Sequence, residues 1–157
     1  MNIVVRGEKL IARPIDVVQT QFTDMAHHER TRVHRALEVS NVRPSPNGCR
    51  FTSRRRVFGA IQEDENELLR LPDGSSTLRS LSGANPGLTI AQTFESQGPE
   101  RTLVRIEVNL PVRGLFRMLS PLLRVGIQRD LAMALEEDRI DLEERRYAGA
   151  VSGRAAA

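Results

Sequence analysis

The chain has 157 residues, of which 39% are hydrophobic and 27% charged, and this is the composition of one globular domain with a buried core. Its 23 basic and 20 acidic residues give a net charge of +3, which is too small an excess to indicate a nucleic-acid-binding protein. Cys49 is the only cysteine, so an internal disulfide and a cysteine-rich metal or iron–sulfur site are excluded.

The N-terminus lacks the pattern of a signal peptide, because Arg6, Glu8 and Lys9 interrupt its apolar run. No apolar run in the sequence approaches the roughly 20 residues that are needed to span a bilayer. We therefore expect a cytoplasmic protein without stable membrane insertion.

The first part of the chain predicts one strand followed by two short helices. Residues 2–12 have the apolar content of a strand, and Pro14 then suits the first turn of a short helix. Thr23 or Asp24 can cap a second short helix that runs to about Arg30.

From Val33 onward the apolar period changes to two, which is typical of strands. Clusters of Pro, Gly, Asn and Asp separate these apolar runs and predict turns. The expected strands cover about residues 33–43, 49–58, 59–71, 77–81, 88–96 and 102–110. Because strands joined by short turns form successive hairpins, they predict an antiparallel sheet.

The C-terminal part predicts one long amphipathic helix from Gly114 to about Tyr147. Its apolar side chains recur every three or four residues and so form one stripe. The stripe consists of Leu115, Met118, Leu119, Leu122, Ile127, Leu131, Leu135 and Leu142. Packing this stripe on the apolar face of the sheet predicts a single domain over residues 1–147, and residues 148–157 predict a disordered tail.

Asp138 interrupts the apolar stripe, because it lies seven residues after Leu131 and three after Leu135. A carboxylate on a buried face costs several kcal/mol unless it is paired, protonated or bound to a metal. An ion pair with an arginine, or a helix end that has left the core, would explain Asp138 in structural terms. The alternative is a functional carboxylate, because local violations of a folding pattern concentrate at functional sites.

A curved sheet wrapped on a long helix leaves a cavity, and the expected inner face of this sheet carries polar groups. Arg55 and Gln92 each share a strand face with apolar side chains. Polar groups in an apolar enclosure orient a bound molecule. We predict a ligand cavity lined by Arg55, Gln92, Phe94, Leu131 and Leu135; the alternative is that Arg55 and Gln92 lie on strand ends in water.

The order of elements resembles the START-like superfamily, also called SRPBCC, over about residues 2–146. The resemblance rests on residues 11–18 (I-A-R-P-I-D-V-V), on residues 56–59 (R-V-F-G) and on the terminal helix. It implies an α+β helix-grip fold, in which a curved antiparallel sheet of about seven strands wraps on the long C-terminal helix, with two short helices after strand 1. The superfamily includes polyketide cyclases/dehydrases and lipid-transfer domains, so the resemblance implies a cavity for a lipid, polyketide or aromatic molecule.

A second resemblance, to the catalytic domain of Rieske-type ring-hydroxylating oxygenases, rests on the histidines. Residues 24–28 (D-M-A-H-H) precede His34, and Asp138 comes late in the terminal helix. In that domain two histidines after an early D-x-x-H segment and an aspartate of the C-terminal helix hold Fe(II). The resemblance implies His27, His34 and Asp138 as metal ligands, although the histidines are further apart than usual and strand alternation would turn His34 outward. We expect no cofactor, with Fe(II) as the alternative.

The same residues also suit metal-free acid–base chemistry. His28 is the candidate general base of a cyclase or dehydratase, with Asp24 orienting it and Asp138 as a further catalytic carboxylate. Asp24, His27 and His28 share one helix face, so an ordinary surface ion pair is the alternative.

Three functions therefore remain open for a chain whose expected partner is a hydrophobic small molecule. The first is a binding or transfer protein, and the second is an enzyme of the polyketide cyclase/dehydratase type. The third is a protein-interaction module of the same fold, and a stand-alone oxygenase-like iron domain is a further alternative. Whether the chain is an enzyme is left open by its residues.

Overall fold

The computed structural model describes residues 1–149 and contains an antiparallel sheet with three α-helices in that range. The strands are β1 (Asn2–Ile11), β2 (Glu38–Ser45), β3 (Gly48–Val57), β4 (Ala60–Arg70), β5 (Ser76–Gly83), β6 (Thr89–Ser96) and β7 (Thr102–Pro111). The helices are α1 (Ile15–Thr23), α2 (Met25–Thr31) and α3 (Ser120–Glu143), with a 3₁₀ helix at Gly114–Arg117 before α3. Of the tail predicted at residues 148–157, residues 150–157 lie outside the described residues.

The seven strands form one sheet in the order β1-β7-β6-β5-β4-β3-β2, and every neighbouring pair is antiparallel. The first strand therefore pairs with the last, while β2 to β7 follow one another as hairpins. This topology, with two short helices after β1 and a long helix after β7, confirms the predicted α+β helix-grip fold.

The two short helices begin where the sequence gives them a start signal. Pro14 precedes the first turn of α1, and its fixed φ of −57° suits the entry to a helix. The Asp24 side chain accepts a hydrogen bond from the main-chain N–H of His27 and so caps α2. The prediction that Thr23 or Asp24 caps this helix is thus confirmed for Asp24.

The core has two parts, which lie towards opposite edges of the inner face of the sheet. The larger part fills the space between β1, β7, α1 and the C-terminal half of α3, and it includes Ile3, Val18, Phe22, Val104, Leu135 and Leu142. The smaller part packs Met25 of α2 on Val39, Phe51 and Leu68 of the sheet. Because α2 rests on the smaller part and α3 on the larger, the two helices face each other across the inner side of the sheet.

The prediction of one continuous helix from Gly114 to Tyr147 is wrong in its first turns. A 3₁₀ helix precedes α3, and Pro121 at the start of α3 lacks the N–H that a continuous helix would require. A 3₁₀ helix has three residues per turn, so the apolar period of the sequence changes phase at this junction. The predicted stripe is accordingly exposed at Leu115, Met118 and Leu119. Leu122 is exposed although it lies within α3, because nine residues of α-helix place it on the side opposite Leu131. Leu131, Leu135 and Leu142 are buried.

The strand β1 is the element on which α3 packs. A Cβ atom at Gly7 would lie 2.9 Å from the Cδ2 atom of Leu131, so a side chain at this position would require Leu131 to move. Two side chains of α3 also reach the edge of β1: Arg124 Nη1 donates to the carbonyl of Val4 at 2.9 Å, and Gln128 Nε2 donates to the carbonyl of Arg6 at 3.0 Å. These contacts fix the position of α3 along the sheet.

No helix in residues 1–149 is both long and apolar enough to cross a membrane.

Candidate functional site

The site lies where α2, the connection from α2 to β2 and the C-terminal half of α3 meet. His28 of α2, His34 of the connection and Asp138 of α3 each offer one ligating atom, and the three atoms lie within 4.8 Å of one another. His28 and Asp138 are each only 4% exposed, and His34 is half-buried. We call these three residues the His–His–Asp cluster.

The ring nitrogens of both histidines point at the same carboxylate oxygen. His28 Nε2 lies 3.3 Å from Asp138 Oδ1, and His34 Nε2 lies 3.6 Å from it. The two imidazole rings are 5.2 Å apart between centroids. The cluster is thus a compact set of two imidazoles around one carboxylate.

The other nitrogen of each ring is held from behind. His28 Nδ1 lies 2.8 Å from the main-chain oxygen of Asp24, and His34 Nδ1 lies 3.1 Å from Glu137 Oε2. A carbonyl and a carboxylate accept hydrogen bonds, so both Nδ1 atoms carry the hydrogen. Each Nε2 therefore faces Asp138 either with a lone pair or, in a charged ring, with a second proton.

In the metal-free protein the charges of His28 and Asp138 support each other. Burial acts to lower the pKa of His28, but its hydrogen bond to Asp138 and the negative charge of that carboxylate raise it above 6.5. Burial acts to raise the pKa of Asp138, but the nearby charge of His34 and the hydrogen bonds from His28 and Gln21 lower it below 3.8. Between those two pKa values the pair is ionised.

Gln21 joins the cluster to a second acidic residue. Its Nε2 donates to Asp138 Oδ1 and to Asp141 Oδ2, both at 3.0 Å. The side chain is fully buried, and its Oε1 atom has no hydrogen-bond partner among residues 1–149. Gln21 lies on the apolar face of α1. Like Asp138, it is a polar residue at a position where the helical spacing predicts an apolar one, so the sequence contained the same signal for both.

The structure separates the two neighbouring histidines of α2. His28 is in the cluster, whereas His27 Nε2 lies 2.8 Å from Asp141 Oδ2 and belongs to an adjacent pair. The set of metal ligands implied at the sequence level, His27 with His34 and Asp138, is therefore not brought together; His28 occupies the place assigned to His27. His34 also does not turn outward as strand alternation suggested, because β2 begins only at Glu38.

Asp24 orients His28, but through its main chain. Its carbonyl holds His28 Nδ1, while its side chain caps α2 and accepts a hydrogen bond from the Tyr147 hydroxyl at 2.6 Å. Burial and the hydrogen bond to Asp24 raise the pKa of Tyr147. Tyr147 thus ties the segment after α3 to the start of α2.

The two structural explanations considered for Asp138 do not hold. Among residues 1–149 no arginine pairs with Asp138, since the adjacent Arg139 binds Glu136 and Glu143 on the outer side of the helix. The helix has not left the core at this point, because Leu135 and Leu142 on either side of Asp138 are buried.

Of the predicted cavity residues, Leu131 and Leu135 belong to the larger part of the core and Phe94 packs against it. Phe94 makes an edge contact with Phe22 at 5.5 Å between ring centroids, and Gln92 accepts a hydrogen bond from Ser76 Oγ at 2.7 Å. Leu131 and Leu135 are buried against β1, and Arg55 is half-buried on β3.

Two open depressions lie on the surface, away from the cluster. One of about 690 Å³ lies between β1, β6, β7 and α3 and includes Leu135. The other, of about 500 Å³, lies between the start of α1 and the turn after β6. None of the three residues of the His–His–Asp cluster lines either depression.

Comparisons with known proteins identify the fold. No protein-family model and no curated protein matches the chain. Among solved structures, the aromatase/cyclase Zhui from Streptomyces sp. R1128 matches with a TM-score of 0.81 at 15% identity, covering 95% of this chain and 99% of that one. A START superfamily protein from Mycobacterium smegmatis matches with a TM-score of 0.69 at 14% identity, covering 88% and 98%.

A plant enzyme matches as well. Norcoclaurine synthase from Thalictrum flavum, in complex with dopamine and hydroxybenzaldehyde, has a TM-score of 0.64 at 13% identity, with 91% of this chain and 88% of that chain covered. These likenesses confirm the START-like fold that the order of elements predicts. At such low identity they concern the fold alone.

Proposed function

We propose that the chain binds a hydrophobic small molecule, of aromatic or polyketide character, and acts on it at a divalent metal centre held by His28, His34 and Asp138. One observation carries the proposal: two imidazole nitrogens and a carboxylate oxygen converge within 4.8 Å in a largely buried position. Two histidines and one carboxylate form the donor set with which many proteins hold Fe(II) while leaving coordination positions open.

The protonation of the rings supports a cation at this point. With hydrogens on both Nδ1 atoms, neutral imidazoles direct two lone pairs at a carboxylate oxygen. Three acceptors that face one another repel unless a proton or a metal ion lies among them. The arrangement of the cluster therefore requires a positive charge between its three acceptors. A divalent ion provides a larger positive charge there than one proton does.

The surroundings of the cluster also fit a metal site. Ligating histidines characteristically donate their second N–H to a carbonyl or carboxylate, which fixes the ring and its tautomer. Here Asp24 does this for His28 and Glu137 for His34, while Gln21 holds the Asp138 carboxylate. A bound Fe(II) ion would supply oxygen-activating chemistry, and these three residues would hold its ligands in place.

The hydrophobic ligand is supported by the fold and by the sheet. One protein of the same fold is an aromatase/cyclase, and another is a synthase in complex with two small aromatic molecules. In this chain Ile90 and Phe94 lie half-buried on the inner face beside the polar pair Ser76 and Gln92. An apolar surface with a few polar groups is typical of sites that bind such molecules.

Metal titration tests the proposal. We would strip the purified protein with a chelator and add Fe(II) or Co(II) without oxygen, and we expect about one ion per chain with the absorption of a nitrogen- and oxygen-ligated ion. Asp138→Asn should lose the ion. His27→Asn is the matched control and should keep it, because His27 is paired with Asp141 outside the cluster. Equal binding by the two variants would refute the metal centre.

The ligand is tested by native mass spectrometry of the protein purified without a chelator. A bound organic molecule that leaves on denaturation would support the proposal and reveal its class. Failure to retain aromatic or polyketide-like molecules in a subsequent binding screen would count against the ligand part while leaving the metal part intact.

A metal-free acid–base site is the second candidate, favoured by the ionised pair of His28 and Asp138. Asp138 raises the pKa of His28 and so favours the charged ring, which is suited to act as a general acid. In this case the chelator-treated protein would keep its turnover of the identified ligand. His28→Ala would abolish turnover and leave ligand affinity largely unchanged.

A further inference from the structure

The connection from β7 to α3 and the first turns of α3 expose a run of large apolar side chains. Leu115 is 82% exposed and Met118 is 81% exposed. The run comprises Leu115, Phe116, Met118, Leu119, Leu122 and Val125, and we call it the apolar ridge. Exposed apolar surface of this extent marks a site of interaction, because single exposed residues are common and contiguous ones are not.

Arginines flank the apolar ridge without any acid among them. The sequence from 108 to 129 contains four arginines and no Asp or Glu. Arg124 is engaged with the carbonyl of Val4, but Arg113, Arg117 and Arg129 make no side-chain hydrogen bond or ion pair to the residues that the structure describes. These three charges are therefore available to an outside partner.

A second apolar projection lies at the same end of the sheet. The end of β7 at Pro111 pairs with the start of β1 at Asn2. Following the pairings from β7 through β6, β5 and β4 to β3 shows that the turn between β3 and β4 lies at this same end of the sheet. This turn exposes Phe58 at 81%, and Ile61 at the start of β4 is 58% exposed. The apolar ridge and the β3–β4 turn thus both project from one end of the molecule.

We propose that this end docks on an anionic lipid surface. Apolar side chains enter the boundary between headgroups and acyl chains, and arginines bind the lipid phosphates; the two contributions together give stable but reversible attachment. A second copy of the chain fits less well, because a twofold contact through the ridge would bring the unpaired arginines of both copies together. The inference is independent of the metal centre, which lies at the other half of α3.

Vesicle sedimentation with the full chain tests the docking. Vesicles of phosphatidylcholine mixed with an equal part of phosphatidylglycerol should bind the protein, and vesicles of phosphatidylcholine alone should not. Binding should fall as salt is added, because the arginine contribution is screened. The variant Leu115→Asp with Arg117→Glu should weaken binding by about tenfold or more.

The matched control makes the same chemical change at the opposite end of the sheet. Leu71→Asp with Arg101→Glu also replaces one exposed leucine and one exposed arginine, and it should bind anionic vesicles like the unaltered protein. Equal losses in both variants would overturn the proposal, and so would equal binding to the two kinds of vesicle. A dimer in light scattering that only the Leu115 and Arg117 changes dissociate, without vesicle binding, would assign the ridge to a second copy instead.

Discussion

The two halves of α3 differ in where their large apolar side chains lie and in the sign of their charges. In the N-terminal half, Leu122 and Val125 are exposed and the charges are arginines up to Asp130. In the C-terminal half, Leu131, Leu135 and Leu142 are buried, and acids dominate. The first half adjoins the proposed lipid-docking end, and the second half carries Asp138.

This difference shows that apolar spacings of three and four residues do not by themselves place side chains on one face, because the nine residues from Leu122 to Leu131 make about two and a half turns of α-helix. The C-terminal half is buried because other elements match it: Gly7 gives Leu131 room to approach β1, and Gln21 and His28 bind Asp138. In the N-terminal half, Leu123 and Ile127 pack against the core, whereas Leu122 and Val125 lie on the other side of the helix and are exposed.

Of the changes in α3, removing the charge of Asp138 should have the largest effect on stability. In the metal-free protein Asp138→Leu leaves His28 buried without its counter-charge, so we expect a loss of about 3–5 kcal/mol in the free energy of unfolding. Urea denaturation measures it. A more stable Asp138→Leu protein would show that the ion pair with His28 is not a stabilising one.

Truncating a leucine in each half tests burial directly. Leu135→Ala should lower the free energy of unfolding by about 2–5 kcal/mol, since it opens a cavity against β1. Leu122→Ala, the same change on the exposed half, should stay within about 0.5 kcal/mol. Similar losses from both would mean that the first half of α3 is covered in solution.

The pH dependence of metal binding tests the role of Asp138 in the C-terminal half of α3. A metal ion displaces the proton of His28, whose pKa is raised by Asp138, so affinity should fall by about tenfold per pH unit below that pKa. Co(II) titrations between mildly acidic and alkaline pH would measure the slope. A flat profile would show that no histidine proton is displaced.

Metal affinity should rise with pH, whereas the stability of the metal-free protein should fall at alkaline pH. The raised pKa of His28 adds stability that is present below 6.5 and is lost as the pH rises through the folded value. The lowered pKa of Asp138 adds stability that is present above 3.8 and is lost as the pH falls through the folded value. Thermal denaturation should therefore give a maximum between these limits, and His28→Asn should remove the alkaline decline.

A small effect should come from changing an acidic residue on the outer side of the C-terminal half of α3. Hydrogen bonds from Arg139 and Lys9 lower the pKa of Glu136 to about 2. Because the Glu136 side chain is 39% exposed, water screens the interaction, and Glu136→Gln should cost at most about 1 kcal/mol. A larger loss in urea denaturation would show that the outer acids matter as much as Asp138.

The order of elements could be predicted from the sequence because periodicity, proline and turn clusters act locally. The same is true of the burial of Asp138, which a single helical stripe reveals. The partner of Asp138 could not be predicted in this way. Choosing His28 over His27 depends on the start of α2 at Met25, and the inward position of His34 depends on β2 starting at Glu38. The start of a helix or strand can shift by a residue or two without any change in the apolar pattern of the sequence. Such a shift nevertheless changes the direction in which each nearby side chain points.

The hydrogen bonds of Arg124 and Gln128 to Val4 and Arg6 have a consequence for how copies of this protein meet. An uncovered outer strand offers its carbonyls to any extended segment, and strand addition of this kind leads to swapped assemblies and fibrils. In β1 the side chains of α3 already occupy two of these acceptors. The helix thus protects the outer strand beneath it, while its opposite face remains free for a lipid surface.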